Sequence, residues 1–203
     1  LFSSFDNAWK ESTITAANAT SQVIFSYDQE TSWRWEQPSG AGYRYEEELF
    51  RFDTWYDKLV KAYNSTSDGK YAYTALRILM DYINVRGNTP EFKKTLDVGV
   101  RAQYLPRLNL ELVESSHMTP EVFTAFLKFI WSQANALKKF ESQGNWGMTE
   151  THGLYTIAAN FQEFKDAPAW VERVKERYDS LSQAMLKSDN SSFELPLGYT
   201  AYA

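Results

Sequence analysis

The feature that most constrains this chain is an apolar stripe of helical period that returns along most of its length. Between residues 46 and 63, apolar side chains recur at spacings of three and four, at Leu49, Phe52, Trp55, Tyr56, Leu59 and Tyr63. This spacing places them on one face of an α-helix, and another element must cover that face. The pattern returns over residues 71–83 and, most broadly, over residues 120–140. Strand signals are confined to residues 23–27, so the sequence predicts an all-α fold of packed helical hairpins.

Capping residues indicate where several of these helices begin. Thr89 and Thr119 are each followed by Pro and Glu. This combines an N-cap, a favoured first helical residue and an acid at the positive end of the helix. The second start predicts the helix over residues 120–140. Further helices are expected over residues 146–161 and, from a cap at Asp166, to residue 187.

Composition narrows the classes of function. The chain has 203 residues, 43% of them hydrophobic, and one domain over residues 1–203 is expected. A formal net charge of −5 with no basic block argues against a nucleic-acid partner. No apolar run approaches the ~18 residues that a membrane-spanning helix needs, so no membrane partner is expected. The chain has no cysteine, and its two histidines lie far apart without a shared acidic cluster, so neither a metal nor another cofactor is expected.

Two non-helical stretches are rich in aromatic residues. Residues 32–45 include Trp33 and Trp35, and residues 189–203 include Tyr199 and Tyr202. Loops of this composition often carry function, because a rigid scaffold can present their side chains to a ligand. Exposed rings there could serve as platforms for sugar rings, whereas burial in the core is the commoner fate of a Trp.

The densest group of chemically useful residue types lies at residues 144–152. It contains Asn145, Trp146, Glu150 and His152. Asn145 lies at a predicted helix start, where Asn is a favoured N-cap. His152 follows seven positions later and therefore shares its helical face. From these residues alone, the segment is either an ordinary helix start or one wall of a cleft.

This segment resembles the N-terminal helical region of the heparinase II/III-like polysaccharide lyases. The resemblance is carried by Gly-Asn-Trp at 144–146, by Glu150 and by FQEFKDAPAW at 161–170. It extends to TLDVGVR at residues 95–101 and to the last stretch of the chain, so that it covers about residues 30–203. Gln162 and Thr200 depart from the family pattern, in which Pro and His are usual.

The resemblance implies an incomplete (α/α) toroid built of antiparallel helical hairpins. In the family, these helices are followed by more helices and then by a β-sandwich domain. A complete toroid of about twelve helices, at about 11–12 residues each plus connections, needs well over 203 residues. Residues 1–203 are therefore expected to be the N-terminal part of a larger lyase and to pack against its C-terminal domain.

The resemblance also implies β-elimination on a uronic-acid-containing polysaccharide. Asn145 matches the family's amide that neutralises the sugar carboxylate, and Tyr199 matches its acid/base, with Tyr202 as the alternative. In relatives a His from later in the chain assists. The expected partner is an acidic polysaccharide or oligosaccharide of the alginate or glycosaminoglycan type, met in a periplasmic or secreted location.

The other candidates for substrate binding each have a structural alternative. Trp33 and Trp146 could stack on sugar rings or pack in the core. Arg101 could pair with a carboxylate or sulfate through its planar guanidinium, or form a structural ion pair. Glu150 could support neighbouring groups, or simply favour the positive end of a helix. His152 could reach the cleft, or be a partly buried His with its hydrogen bonds satisfied.

Two further classes of function stay open. One is a toroid-type glycoside hydrolase, which needs two carboxylates at a separation of about 5–10 Å. Glu36, Glu150 and Glu194 are the candidates for that pair. The other is a non-catalytic helical module that binds glycans.

Overall fold

The computed structural model describes residues 14–17, 23–27, 50–86 and 94–185. Its strands are β1 (Ile14–Ala17) and β2 (Val23–Tyr27), which pair antiparallel with Ile14 opposite Tyr27. Its helices are α1 (Asp53–Thr66), α2 (Gly69–Arg86), α3 (Thr95–Leu112), α4 (Pro120–Leu137), α5 (Gly144–Asn160) and α6 (Ala167–Met185). Within the described ranges, no helix is both long and apolar enough to cross a membrane.

The sequence located these elements well, and most of the differences lie at their ends. The strand predicted at residues 23–27 is present, while its partner β1 was missed because ITAA is short and carries little strand pattern. The helix predicted over 120–140 ends at Leu137, and the last one begins directly after Asp166. The start at Thr89 and the loops at 32–45 and 189–203 lie outside the described residues, and α3 begins at Thr95.

The apolar stripe of the first predicted helix is interrupted by one backbone conformation. Phe50 and Arg51 are helical, Phe52 has a left-handed φ of 69°, and α1 starts at the next residue. Such a conformation costs a non-glycine residue about 1–3 kcal/mol. The Phe52 side chain is fully buried. Its ring centroid lies 4.8 Å from the ring centroid of Trp55 and 5.0 Å from that of Tyr82. These contacts offset the backbone strain, because aromatic pairs add about 0.5–1.5 kcal/mol each beyond burial.

The chain divides into two compact units, one of residues 1–89 and 107–129 and the other of residues 90–106 and 130–203. In the first unit, α1 and α2 form a hairpin across the predicted turn at residues 67–69. The Asp68 carboxylate accepts a hydrogen bond from the backbone N–H of Lys70 at 3.0 Å. This bond holds the pKa of Asp68 below its ordinary value. The turn is therefore fixed by the residues that predicted it.

The second unit contains the first part of α3, the last part of α4, and the closely packed pair α5 and α6. Helices α3 and α5 touch through two glycines. A Cβ on Gly99 would lie 2.8 Å from the Thr149 carbonyl oxygen, and one on Gly153 would lie 2.6 Å from the Gly99 oxygen. The backbones can approach this closely only because neither residue has a side chain. Gly99 belongs to the TLDVGVR segment at residues 95–101 that contributed to the resemblance.

The start of α4 gives a test of the capping prediction. The Thr119 hydroxyl oxygen accepts a hydrogen bond from the Val122 backbone N–H at 3.4 Å. Thr119→Ala should therefore lower the free energy of unfolding by about 1 kcal/mol, as loss of an N-cap does. Thr124→Ala is the matched control, because its exposed hydroxyl donates only to the Pro120 carbonyl of its own helix. We expect this control to lie within about 0.5 kcal/mol of the parent in urea unfolding; equal losses in both variants would contradict the cap.

Candidate functional site

The site begins at a glycine whose backbone conformation is unfavourable for residues that carry a side chain. Gly144 opens α5 with a φ of 59°, in the left-handed region that favours glycine. The N-cap is Gln143, so the reading of Asn145 as the cap is wrong. Asn145 lies instead in the first turn, half-buried, and its carbonyl accepts a hydrogen bond from the Thr149 hydroxyl at 2.9 Å. Its side-chain amide has no hydrogen-bond partner among the described residues.

One face of α5 is left open by the packing. The buried face consists of Gly147, Glu150, Thr151, Gly153, Leu154, Ile157 and Ala158. Helical periodicity places Asn145, Met148, Thr149 and His152 on the opposite face. His152 is exposed, and Tyr155, one turn further, is 51% exposed. Asn145 and His152 thus share the face of α5 that can meet a ligand.

This open face borders a groove within the second unit. A cavity of about 400 Å³ is bounded by three side chains of α5, three of α3 and one of α6: Met148, Thr149, His152, Val100, Gln103, Tyr104 and Tyr178. A second depression of about 450 Å³ shares His152 and Tyr178 with the first. It also includes Tyr155, Val174, Lys175 and Asp179. Together they form a groove that combines aromatic rings with amide, hydroxyl, imidazole and charged groups.

Tyr178 gives the groove a neutral hydrogen-bond donor. Burial raises the pKa of its phenol, and the neighbouring Tyr155 adds to the shift. The Tyr178 phenol therefore stays protonated at neutral pH, where it can donate to a hydroxyl or stack on a sugar ring. A general base needs the opposite shift, so Tyr178 is not a candidate for that role.

Two of the predicted binding residues lie inside the protein. Arg101 is 1% exposed, and its Nη2 and Nε donate to the side-chain oxygen of Gln133 at 2.7 and 3.2 Å. Glu150 is 2% exposed and accepts a hydrogen bond from the Ser142 hydroxyl at 2.6 Å. The close approach of α3 and α5 at Gly99 covers the backbone of Glu150. Burial favours the structural alternative for Arg101 and the supporting role for Glu150.

The segment before Asn145 is held by two arginines of α6. Arg173 donates to the carbonyls of Lys138 and Phe140, at 3.2 and 3.5 Å, and to the Glu141 carboxylate. Arg177 donates to the same carboxylate at 3.3 Å and to the Ser142 carbonyl. The connection at residues 138–143 is therefore fastened to α6 at both of its ends.

The predicted site residues are only partly brought together. Trp146 is 40% exposed, so its ring is available to a ligand. Trp33, Tyr199 and Tyr202 lie outside the described residues, as do Glu36 and Glu194. Among the residues from Phe50 to Met185 that the structure describes, no group of three or more His, Asp and Glu could hold a metal ion.

Sequence reasoning missed several residues of the site. Tyr155 follows His152 by three positions, a spacing that could have placed it on the same helical face. Arg173 and Arg177 stand four apart on one face of a helix, which is a signal for a shared partner. Tyr104 and Tyr178 left no such signal, because they meet only through the packing of helices far apart in the sequence.

The family model described as Heparinase II/III N-terminus matches residues 5–203, and the chain belongs to this family. Its curated relatives include two named heparin-sulfate lyase, from Bacteroides thetaiotaomicron and Pedobacter heparinus. Each is 26% identical to the chain, over 86% and 84% of its length respectively. The chain spans only 26% and 27% of the length of these two proteins.

Solved structures show the same fold. The chain matches a crystal structure of heparinase III with a TM-score of 0.78 and 24% identity, covering 91% of this chain and 29% of that one. It matches a mutant of the heparan sulfate lyase HepC from Pedobacter heparinus with a TM-score of 0.73 and 23% identity. That match covers 87% of this chain and 29% of the other. The N-terminal domain of these proteins is a helical toroid, so the expected all-α toroid class is confirmed.

Proposed function

We propose that this chain is the N-terminal helical part of a lyase that cleaves a uronic-acid-containing polysaccharide by β-elimination. The observation that carries the proposal is the side-chain amide of Asn145 and its place in α5. This amide has no hydrogen-bond partner among the described residues, and it stands in the first turn of α5, one helical turn before Met148 and Thr149, which line a polar, aromatic groove. Family membership supports the same reaction class.

The reaction explains why an amide is needed. The C5 proton of a uronate is weakly acidic, because removing it places a second negative charge beside the carboxylate. Donors aimed at this developing charge lower the barrier, and each is typically worth about 10²–10³ in rate. The Asn145 amide can donate without carrying a charge of its own. The positive end of α5 adds about 0.3–1 kcal/mol of stabilisation for an anion at its first turn.

The remaining step needs a proton acceptor, and we assign it to Tyr199, with Tyr202 as the alternative. A phenolate would take the C5 proton and leave the C5 electron pair delocalised into the carboxylate group. This pair then forms the C4–C5 double bond as the C4–O bond breaks, and the leaving oxygen takes up the proton from the phenol. Nearby cations would have to lower the phenol pKa from about 10 for this role.

The groove supports a saccharide as the ligand. Tyr104, Tyr155 and Tyr178 offer ring faces and hydroxyls, and the exposed Trp146 adds a platform. We assign His152 to substrate contact, and Glu150 and Arg101 to supporting the helices that carry the site. Because two curated relatives are named heparin-sulfate lyase, a sulfated glycosaminoglycan is the substrate we propose first, and alginate second. A periplasmic or secreted location and packing against a further domain complete the proposal.

A product assay separates the proposed reaction from its alternatives. The chain is incubated with heparan sulfate and with alginate, and ultraviolet absorbance and new reducing ends are followed together. Elimination yields both signals, because each cut leaves an unsaturated sugar. Reducing ends without absorbance would indicate a hydrolase, and binding without either signal a glycan-binding module. Tyr199→Phe should abolish turnover with an unchanged unfolding curve; an unchanged rate would refute that assignment.

A further inference from the structure

We infer that Arg177, assisted by Arg173, is a positioning residue for Asn145. The two guanidinium groups fix the 138–143 connection, and this connection sets where the first turn of α5 begins. The effect that we expect on kcat rests on the proposed function, whereas the effect that we expect on the order of the Asn145 backbone does not.

The contacts are distributed so that one helix holds both ends of the connection. At its start, Arg173 donates to the carbonyl of Lys138, directly after α4 ends at Leu137. At its end, Arg177 donates to the carbonyl of Ser142, two residues before Gly144. The Glu141 carboxylate between them accepts from both guanidinium groups. A planar guanidinium with five N–H donors can serve several acceptors in fixed directions.

Gly147 makes the space in which the Arg177 side chain lies. A Cβ at this position would stand 2.9 Å from Arg177 Nη2 and 2.3 Å from the Ser142 carbonyl oxygen. Arg177 is only 6% exposed, so its guanidinium is enclosed against the first turn of α5. The arginine, the connection and the helix start therefore interlock, and moving one of them displaces the others.

The end of the connection is also held by the Ser142 side chain, which contacts residues of α5 and α3. The Ser142 hydroxyl donates to Glu150 Oε1 at 2.6 Å and lies 3.2 Å from the Thr95 hydroxyl oxygen. Ser142 is thus fixed through both its carbonyl and its side chain. Only Gln143 and Gly144 separate it from Asn145, and Gly144 has the constrained φ of 59°. The place of the Asn145 amide follows from that of Ser142.

These contacts serve geometry more than stability. Glu141 is largely exposed, with 68% of its side chain accessible, so its pairing with the arginines contributes little to stability through charge alone. A displacement of about 1 Å at a reacting group can cost about 100-fold in rate. A fixed connection before Asn145 prevents such a displacement.

The experiment compares the order of Asn145 in Arg177→Met, Arg177→Lys and the parent chain. The readout is the ¹⁵N relaxation of the Asn145 backbone amide, and Glu172→Gln, an exposed change on the same helix, is the control. We expect the order parameter to fall from about 0.85 in the parent to below about 0.6 in Arg177→Met, with Arg177→Lys between them and the control unchanged. If Arg177→Met fails to fold, Arg177→Lys decides the result alone. A folded variant with parent-like order at Asn145 would overturn the inference.

Kinetics provide the second arm. In a folded Arg177→Lys variant we expect kcat for elimination to fall about 10- to 100-fold with KM changed less than about threefold, because orientation is lost while the groove is intact. A rise in KM with unchanged kcat would contradict the positioning role. If the parent chain forms no unsaturated product, that result counts against the proposed function, and the order measurement by itself decides the positioning of Asn145.

Discussion

Asn145→Asp is expected to lower kcat for elimination at least about 100-fold while the protein stays folded. The substitution keeps the size of the side chain but replaces the amide donor by a carboxylate that repels the substrate's own. The Asn145 side chain has no hydrogen-bond partner among the described residues, so the substitution removes no hydrogen bond to any of them. An acid in the first turn of a helix is stabilising by about 0.3–1 kcal/mol. The unfolding midpoint should therefore be unchanged or slightly raised.

The control for this result is Gln143→Glu, which adds the same charge two residues earlier. Gln143 is exposed, and its amide donates only to the Glu141 carbonyl, at 3.2 Å. Screening by salt should limit its effect on kcat to about threefold. If both variants lose activity equally, the added charge alone is responsible, and the specific role of the Asn145 amide is refuted.

Gly99→Ala is expected to lower the free energy of unfolding by about 2 kcal/mol. The new Cβ would lie 2.8 Å from the Thr149 carbonyl oxygen and 2.9 Å from the Glu150 backbone N and Cα. These are backbone atoms, so no side-chain rotation relieves the clash and α3 must move away from α5. Overpacking of this kind costs up to about 3 kcal/mol, and the better helix propensity of Ala returns about 1 kcal/mol. Urea unfolding at 25 °C measures the difference.

A Gly→Ala substitution at the start of α2 should instead stabilise the protein. Gly69 begins α2, and a Cβ there would meet only the His117 ring, with its Nε2 at 3.4 Å, an ordinary contact. Gly69→Ala should raise the free energy of unfolding by about 0.4–1 kcal/mol, because it restricts the unfolded chain. A loss of stability in Gly69→Ala, or none in Gly99→Ala, would contradict the packing described for α3 and α5.

Local features of the fold could be predicted from the sequence because the information is local. The period of the apolar residues located the helices, and the cap at Thr119 is present as predicted. The turn predicted at 67–69 lies at residues 67–68, since α2 already begins at Gly69. The backbone of Phe52 could not be predicted, because its left-handed φ is held by contacts with Tyr82 and Phe129, far along the chain.

The candidate site was predictable only in part, for the same reason. Helical period placed Asn145 and His152 on one face, and both lie on the face that packing leaves open. Burial of Arg101 depends on Gln133, 32 residues later, and the hold of Arg177 on Ser142 spans 35 residues. Such pairs are created by packing, and their local signs were the glycines at positions 99, 147 and 153 and the four-residue spacing of Arg173 and Arg177.

In the proposed reaction, the Asn145 amide acts on the charge of the substrate carboxylate. The most direct measurement is the ratio of kcat/KM between the parent and Asn145→Asp, on a uronate polymer and on its methyl ester. Esterification removes the carboxylate charge with which the amide interacts. The ratio of kcat/KM of the parent to that of Asn145→Asp should therefore be at least about tenfold lower on the ester than on the free acid. Equal ratios on the two substrates would mean that Asn145 does not act on the carboxylate, and would contradict the account.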